Sequence, residues 1–298
     1  MRTTLKASIV IRTYNEEQDL EQLLESIQLQ DLGKENFEII IVDSGSTDRT
    51  LDIATKHTKK IQHILKSEFT FGKSLNVGCS IASGEVLVFI SGHCIPTSRN
   101  WLRRLIDPIL NDEVVMTYGR QVGVASTRFS EKQVFSKYFP DVSQIPQDGI
   151  YTNNANSALK FSVWHSQKFD ESLTGLEDMH LAKRLVADGH RIGYVSDAVV
   201  SHRHMENWQQ VRRRFEREAF ALQQIMPEIH FTFFDLMRYT FSSITHDVAK
   251  LTLSLNVIGQ IFDIVGYRTG QYWGAFSGSR THREISKTKR DSFFYPRP

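Results

Sequence analysis

Apolar residues along the first part of the chain fall into short solid runs separated by amphipathic stretches. Ala7–Ile11, Phe37–Val42, Ile61–Leu65 and Val86–Ile90 have the length of buried strands. Between them Leu20, Leu23, Leu24 and Ile27 step at helical spacing, while Leu75–Ala82 predicts a short helix and Trp101–Leu110 a second one. DSGSTDRT, after the second run, supplies a turn and an N-cap for a helix that begins near Asp48. Solid strands alternating with helices predict a mainly parallel sheet covered on both faces. Residues 123–152 read as an irregular polar segment, of the kind that forms a binding loop or lid beside such a sheet. A helix from Leu176 to Ala187, a strand at Ile192–Val195 and the cluster SHRH follow.

From Pro227 the pattern changes. Phe234, Met237, Phe241, Ile244, Val248, Leu251, Leu255, Ile258, Phe262 and Val265 step by threes and fours, and Leu253, Val257, Ile261 and Ile264 widen the face. This predicts one long helix or two. Packing on the chain's own domain, a homodimer contact through 234–265 and a contact with a membrane surface all account for such a face. The tail after Gly278 carries six Lys/Arg against two acids, with Phe293, Phe294 and Tyr295 among them. It suits an anionic membrane surface, and equally a solvated tail.

Composition narrows this picture only at the margins. The 298 residues suffice for a full core, and 40% hydrophobic and 23% charged residues are ordinary for a globular protein. A formal charge of +2 gives no reason to expect a nucleic-acid partner. Cys79 and Cys94 alone do not make a disulfide framework, and a reducing compartment fits. The first apolar run is too short for a signal peptide, and no apolar stretch is long enough to span a bilayer, so a cytoplasmic location is expected.

Three groups of residues could carry chemistry. Thr13, Tyr14, Asn15 and Glu16 follow strand one, Asp43 follows strand two, and Ser91, Gly92 and His93 follow strand four, so all should open on one sheet edge. An acid at the end of strand two can accept hydrogen bonds from a ribose, or it can simply organise its own turn. Neither G-x-G-x-x-G nor G-x-x-x-x-G-K-[ST] is present, which argues against a dinucleotide fingerprint and a P-loop. Glu177 and Asp178 open a helix, where capping explains them as well as a general base does. His202 and His204 share a face if extended, a weak hint of a divalent metal.

Together these segments resemble the family 2 glycosyltransferases, inverting enzymes of the GT-A fold, over residues 6–226. SIVIRTYNEE resembles that family's opening strand and loop, with Arg12 where proline is usual. FEIIIVDSGSTDRTLDIA resembles its nucleoside-binding turn, FGKSLNVGCSIASGE the helix before its metal strand, and FDESLTGLEDMHLAKRLVADGHRIGYVSDAVVSHRH its acceptor and catalytic segment, especially in bacterial rhamnosyltransferase-like members.

The resemblance implies a Rossmann-like GT-A domain over 1–226, with a nucleotide-binding half (1–122) and an acceptor half (123–226). A helical extension (227–278) and the basic aromatic tail (279–298) would follow. It implies that Arg12, Thr13, Tyr14, Glu16, Asp43, Lys73, Ser91 and Gly92 meet a nucleotide-sugar. Asp178, with Glu177, would be the base, and Asn154 would meet the acceptor. The family's Asp-x-Asp turn is replaced by Ser91-Gly92-His93, which puts Mg²⁺ in doubt. His93 and His202, with His204 as a further candidate, would favour Mn²⁺, or the enzyme would work without metal.

The expected activity is transfer of a sugar to a hydroxyl of a glycan or lipid-linked glycan for bacterial surface polysaccharide, at or near the cytoplasmic membrane. The alternatives are a catalytically inactive nucleotide-sugar-binding or assembly protein of the same fold and, more remotely, a sugar-1-phosphate nucleotidyltransferase, whose Gly-rich N-terminal loop is not seen.

Overall fold

A computed structural model describes residues 5–203, 206–252, 257–280 and 293–294. The chain divides into two compact units. The first comprises residues up to Val124, Tyr138–Ser172 and Glu177–Arg203; the second comprises Ala125–Lys137, Leu173–Leu176 and the chain beyond Arg203.

The first unit is built on one eight-stranded sheet. Its strands are β1 (Ala7–Thr13), β2 (Phe37–Asp43), β3 (Ile61–His63), β4 (Val86–Ser91), β5 (Cys94–Pro96), β6 (Met116–Gly123), β7 (Asn156–Lys160) and β8 (Ile192–His202). They lie in the order β3-β2-β1-β4-β7-β6-β8-β5. The four on the β3 side are parallel, with Thr13 opposite Asp43 and Arg12 opposite Ser91. β7 runs antiparallel to both β4 and β6, β6 and β8 are parallel, and β5 closes the far edge against β8. The parallel strands are buried on both faces, which is why they read as solid apolar runs.

Six helices cover this sheet. α1 (Leu20–Gln28), α2 (Thr50–His57) and α4 (Trp101–Leu110) share one core with Ile9, Ile11, Ile39 and Val88. α3 (Phe71–Ser80), α6 (Phe161–Ser166) and α7 (Glu177–Ala187) share the opposite core with Val10, Ile40, Leu87 and Phe89. The Thr70 hydroxyl caps α3 by accepting the Lys73 amide.

In the second unit α5 (Phe129–Tyr138), α8 (Trp208–Ile225), α9 (Phe233–Ala249) and α10 (Val257–Ser279) are the main elements. α8 and α9 open with complete capping boxes, Asn207 with Gln210 and Thr232 with Asp235. α10 meets α8 along Gly266, Gly270, Gly274 and Gly278. A Cβ on Gly274 would lie 2.2 Å from the Arg212 carbonyl oxygen, and one on Gly278 2.2 Å from that of Glu216. Only glycine permits backbones this close.

Several elements differ from expectation. Residues 123–152 are not wholly irregular, since α5 lies within them and Gln144 bridges to Tyr194. The periodic run 234–265 forms two helices, the second of the two expected alternatives, with α9 ending at Ala249 and α10 beginning at Val257. The last strand continues well past Val195 to His202, which brings that histidine onto the sheet edge. β5, β6 and β7 were not apparent in the apolar pattern.

Candidate active site

The loops after β1 and β2 are laced together by short polar side chains. Both oxygens of Asp43 accept hydrogen bonds: Oδ1 from the amides of Gly45 and Ser46, at 3.0 Å each, and Oδ2 from the hydroxyls of Thr13 and Ser46. Asn15, with φ +56°, accepts the Thr47 amide at 2.8 Å through Oδ1. The Glu16 amide donates to the Thr50 hydroxyl and the Glu17 amide to Asp48. Four donors fill the acceptor sites of Asp43, so it is first of all the organiser of this edge. Tyr14 is held from outside by Lys66, whose ammonium donates to its hydroxyl at 2.7 Å. Lys73, at the start of α3, pairs with Glu68 at 2.9 Å.

At the end of β4, Ser91-Gly92-His93 offers no carboxylate, but the β1 loop supplies one. Glu16 Oε1 lies 2.9 Å from His93 Nδ1. Its chain crosses directly over Gly92, where a Cβ would come within 2.8 Å of Glu16 Cγ. Glycine at 92 is therefore what lets the carboxylate reach the turn. His202, from the end of β8, stands beside His93 with ring centroids 5.0 Å apart. Its Nδ1 lies 2.6 Å from Oε1 of the buried Gln121 on β6. A carboxylate and an amide oxygen only accept, so each ring is placed to donate its Nδ1–H to its partner. His204 lies outside the described residues. Among the described residues no three His, Cys, Asp or Glu side chains converge as a complete cation cage.

The acidic pair opens α7 just after Leu176, itself at φ +56°. Asn154 holds both members: its amide donates to Asp178 Oδ2 at 2.8 Å and its side chain to Glu177 Oε1 at 3.3 Å. Ser157 in turn donates to Asn154 Oδ1 at 2.8 Å. Burial, and next the charge of Glu177, push Asp178 up to about 7. Arg12 moderates this from the end of β1, with Nη1 3.6 Å from Glu177 Oε1 and its guanidinium 5.0 Å from the centre of the Phe71 ring. That Nη1 is buried with no hydrogen-bond partner among the described residues, a donor in place for an anionic ligand.

The structure thus gathers the expected residues into two groups on the first unit. One is Glu16, Gly92, His93 and His202; the other is Arg12, Asn154, Glu177 and Asp178. Sequence reading missed Gln121, the Arg203–Asp19 pair at 3.2 Å and the hydrogen bonds by which Asn154 holds the two acids. Their partners lie far away in the chain, so no local spacing marks them.

The sheet order and the loops gathered at one edge define a GT-A-type α/β protein. The chain belongs to glycosyl transferase family 2, whose model matches residues 8–163. Among curated proteins it is 30% identical over 58% of its length to a poly(ribitol-phosphate) beta-glucosyltransferase of Bacillus spizizenii, covering 28% of that protein. It is 27% identical over 61% of its length to the O-antigen chain rhamnosyltransferase WbaN of Salmonella anatum, covering 62% of it. The chain thus matches less than two thirds of either relative's own length. The mannosyltransferase PcManGT of Pyrobaculum calidifontis, solved in complex with GDP-Man and Mn²⁺, superposes with a TM-score of 0.64 at 15% identity, covering 95% of this chain and 89% of that one.

Proposed function

We propose that the chain is an inverting glycosyltransferase that moves a sugar from a nucleotide-sugar donor to a hydroxyl of a growing, lipid-linked surface polysaccharide on the cytoplasmic side of the membrane. The observation that carries this is the buried Glu177–Asp178 pair, clamped by Asn154, with Asp178 raised to about 7. A carboxylate poised near neutrality suits a general base, a role typically worth about 10²–10⁴-fold. Asp178 takes the proton of the acceptor hydroxyl. The hydroxyl oxygen bonds to the anomeric carbon on the face opposite the nucleotide, and the diphosphate departs with the electron pair of the broken bond. One displacement inverts the centre.

Arg12, at the end of β1, and the loops after β1 and β2, organised by Asp43, meet the anionic donor. His93, oriented by Glu16, and His202 would hold a divalent cation jointly with the diphosphate, and two imidazoles favour Mn²⁺ over Mg²⁺. Such a cation supplies charge neutralisation to the leaving group. A second reading, an inactive nucleotide-sugar-binding relative, draws on the absence of a carboxylate from the Ser91-Gly92-His93 turn. The Glu16 carboxylate over Gly92 weakens that argument.

Calorimetry with UDP, GDP, dTDP and CMP, each with and without Mn²⁺, is the test. One diphosphate should bind, Mn²⁺ should strengthen it, and His93→Ala should abolish the Mn²⁺ effect. Binding of one diphosphate that ignores Mn²⁺ would remove the cation and keep the transferase. Binding of none would remove both and leave an inactive assembly protein of the same fold.

A further inference from the structure

The second unit presents a surface that the proposed chemistry does not use. On α9, Phe234, Met237 and Phe241 form one stripe; on α10, Ile258, Phe262, Val265 and Trp273 form another. These are among the most exposed large apolar side chains of the chain: Phe234 is 73% exposed, Phe241 72%, and Ile258 and Phe262 69% each. The two helices are neighbours, with Tyr239 stacked on Tyr272 and the Ser243 and Tyr272 hydroxyls 2.7 Å apart. Scattered exposed apolar residues need no explanation, but stripes on adjacent helices do.

The charges on these helices are sorted by sign. Every acid in α9 and α10 is engaged locally. Asp247 is paired with Arg268, Asp263 with Arg128, and Asp235 closes the capping box of α9. Over Val257–Ser279 the only charged residues are Asp263 and Arg268, so the outward face of α10 carries none. The charges that do reach solvent here are basic: Arg238 and Lys250 on α9 and its end, and Arg280 after α10. Arg280 lies 4.9 Å over the Phe276 ring, and both line a pocket with His230 and Phe233. Among the described residues no helix is long and apolar enough to cross a membrane.

We propose that α9 and α10 form a docking surface for an anionic phospholipid bilayer, with the phenylalanine stripes entering the interface and Arg238, Lys250 and Arg280 meeting the headgroup phosphates. Charge complementarity selects this occupant, since exposed apolar side chains on helices that also expose cations, with each acid of those helices already engaged, are what a negatively charged interface attracts. The inference deepens the lipid-linked acceptor of the preceding reading and rests on it only for its purpose.

Flotation of the full chain with vesicles tests it, with no donor, acceptor or metal present, so a failure here leaves the transferase reading standing and the reverse also holds. The chain should float with phosphatidylcholine vesicles containing phosphatidylglycerol and much less with phosphatidylcholine alone, and salt should weaken the binding. Phe241→Ser with Phe262→Ser should weaken it by about tenfold or more at an unchanged melting temperature, since both side chains are exposed. Arg238→Gln with Arg280→Gln should remove most of the preference for phosphatidylglycerol. Failure of the unaltered chain to float, or equal flotation of the serine variant, overturns the proposal. So does an unaltered chain that ignores vesicles and is a dimer which the serine variant converts to monomer, because the occupant is then a second copy.

Discussion

Asp178 is costly where it sits. Burial and the neighbouring Glu177 charge hold its carboxyl at about 7, far above the ordinary value of 3.8. Between about pH 4 and pH 7 the native state therefore keeps a proton that the unfolded chain has released, so stability falls as pH rises through this window. Asp178→Asn removes that titration. Its unfolding free energy should gain on that of the unaltered protein as pH rises from about 5 to about 8, by an amount on the order of 1–3 kcal/mol, and its melting temperature should rise relative to it accordingly. The same substitution should lower kcat by about 10²–10⁴-fold. In the unaltered enzyme kcat should fall about tenfold per unit below about pH 7, once Asp178 holds its proton. Arg12 pulls the value down, so Arg12→Met should move this limb to higher pH. Parallel melting curves for the two proteins across pH would show that Asp178 titrates as an ordinary carboxylate. At this scale the acids themselves were legible, because they open a helix. Asn154, which holds them, and Glu16, which lends its carboxylate to the turn at Gly92, were not legible in these roles. Each acts across a fold contact, at a separation of 23 residues or more.

Elements were legible where burial is apolar and obscure where it is polar. β1, β2 and β4 announce themselves by solid runs of isoleucine and valine. β6 hides because it buries Thr117, whose hydroxyl donates to the Leu105 carbonyl, and Gln121, whose side-chain oxygen meets His202. β7 hides likewise, with Asn156 accepting from the Trp101 indole at 2.9 Å. α5 lacks an apolar stripe because beside Phe135 it buries Ser130 and Glu131, satisfied by Asp247 and Arg214. The Asp247 network gives a test at this scale. Arg268 grips that fully buried carboxylate with two hydrogen bonds, at 2.7 and 2.9 Å, between α10 and α9. Arg268→Met strands the charge and should cost about 3–5 kcal/mol in chemical denaturation, whereas adding Asp247→Leu should recover most of the loss. A small loss in the single variant would mean that water reaches Asp247.

For the whole molecule, the chain passes between its two units more than once, since Ala125–Lys137 and Leu173–Leu176 belong with the C-terminal helices while the segments around them belong with the sheet. The periodicity break at Pro227 suggests a cut between a catalytic domain and an appendage, and the packing inside the second unit argues against such a cut. Ending the chain at residue 226 keeps α5 and α8 but removes α9 and α10. The face of α8 around Arg212 and Glu216, against which the glycines of α10 lie at backbone distance, would then be laid open. So would the side of α5 that Asp247 and Arg268 satisfy, leaving the buried Ser130 without its partners. Exposing this much helix surface while all the proposed donor-binding residues remain should yield a chain that aggregates or melts well below the full-length protein. Size-exclusion chromatography and thermal unfolding of the two chains, compared at equal concentration, decide it. A monomeric 1–226 chain with an unchanged melting temperature would make the helical extension a separable appendage. Aggregation of the short chain would instead make α9 and α10 part of what folds the protein, so that any surface they present to a membrane is fixed to its own core.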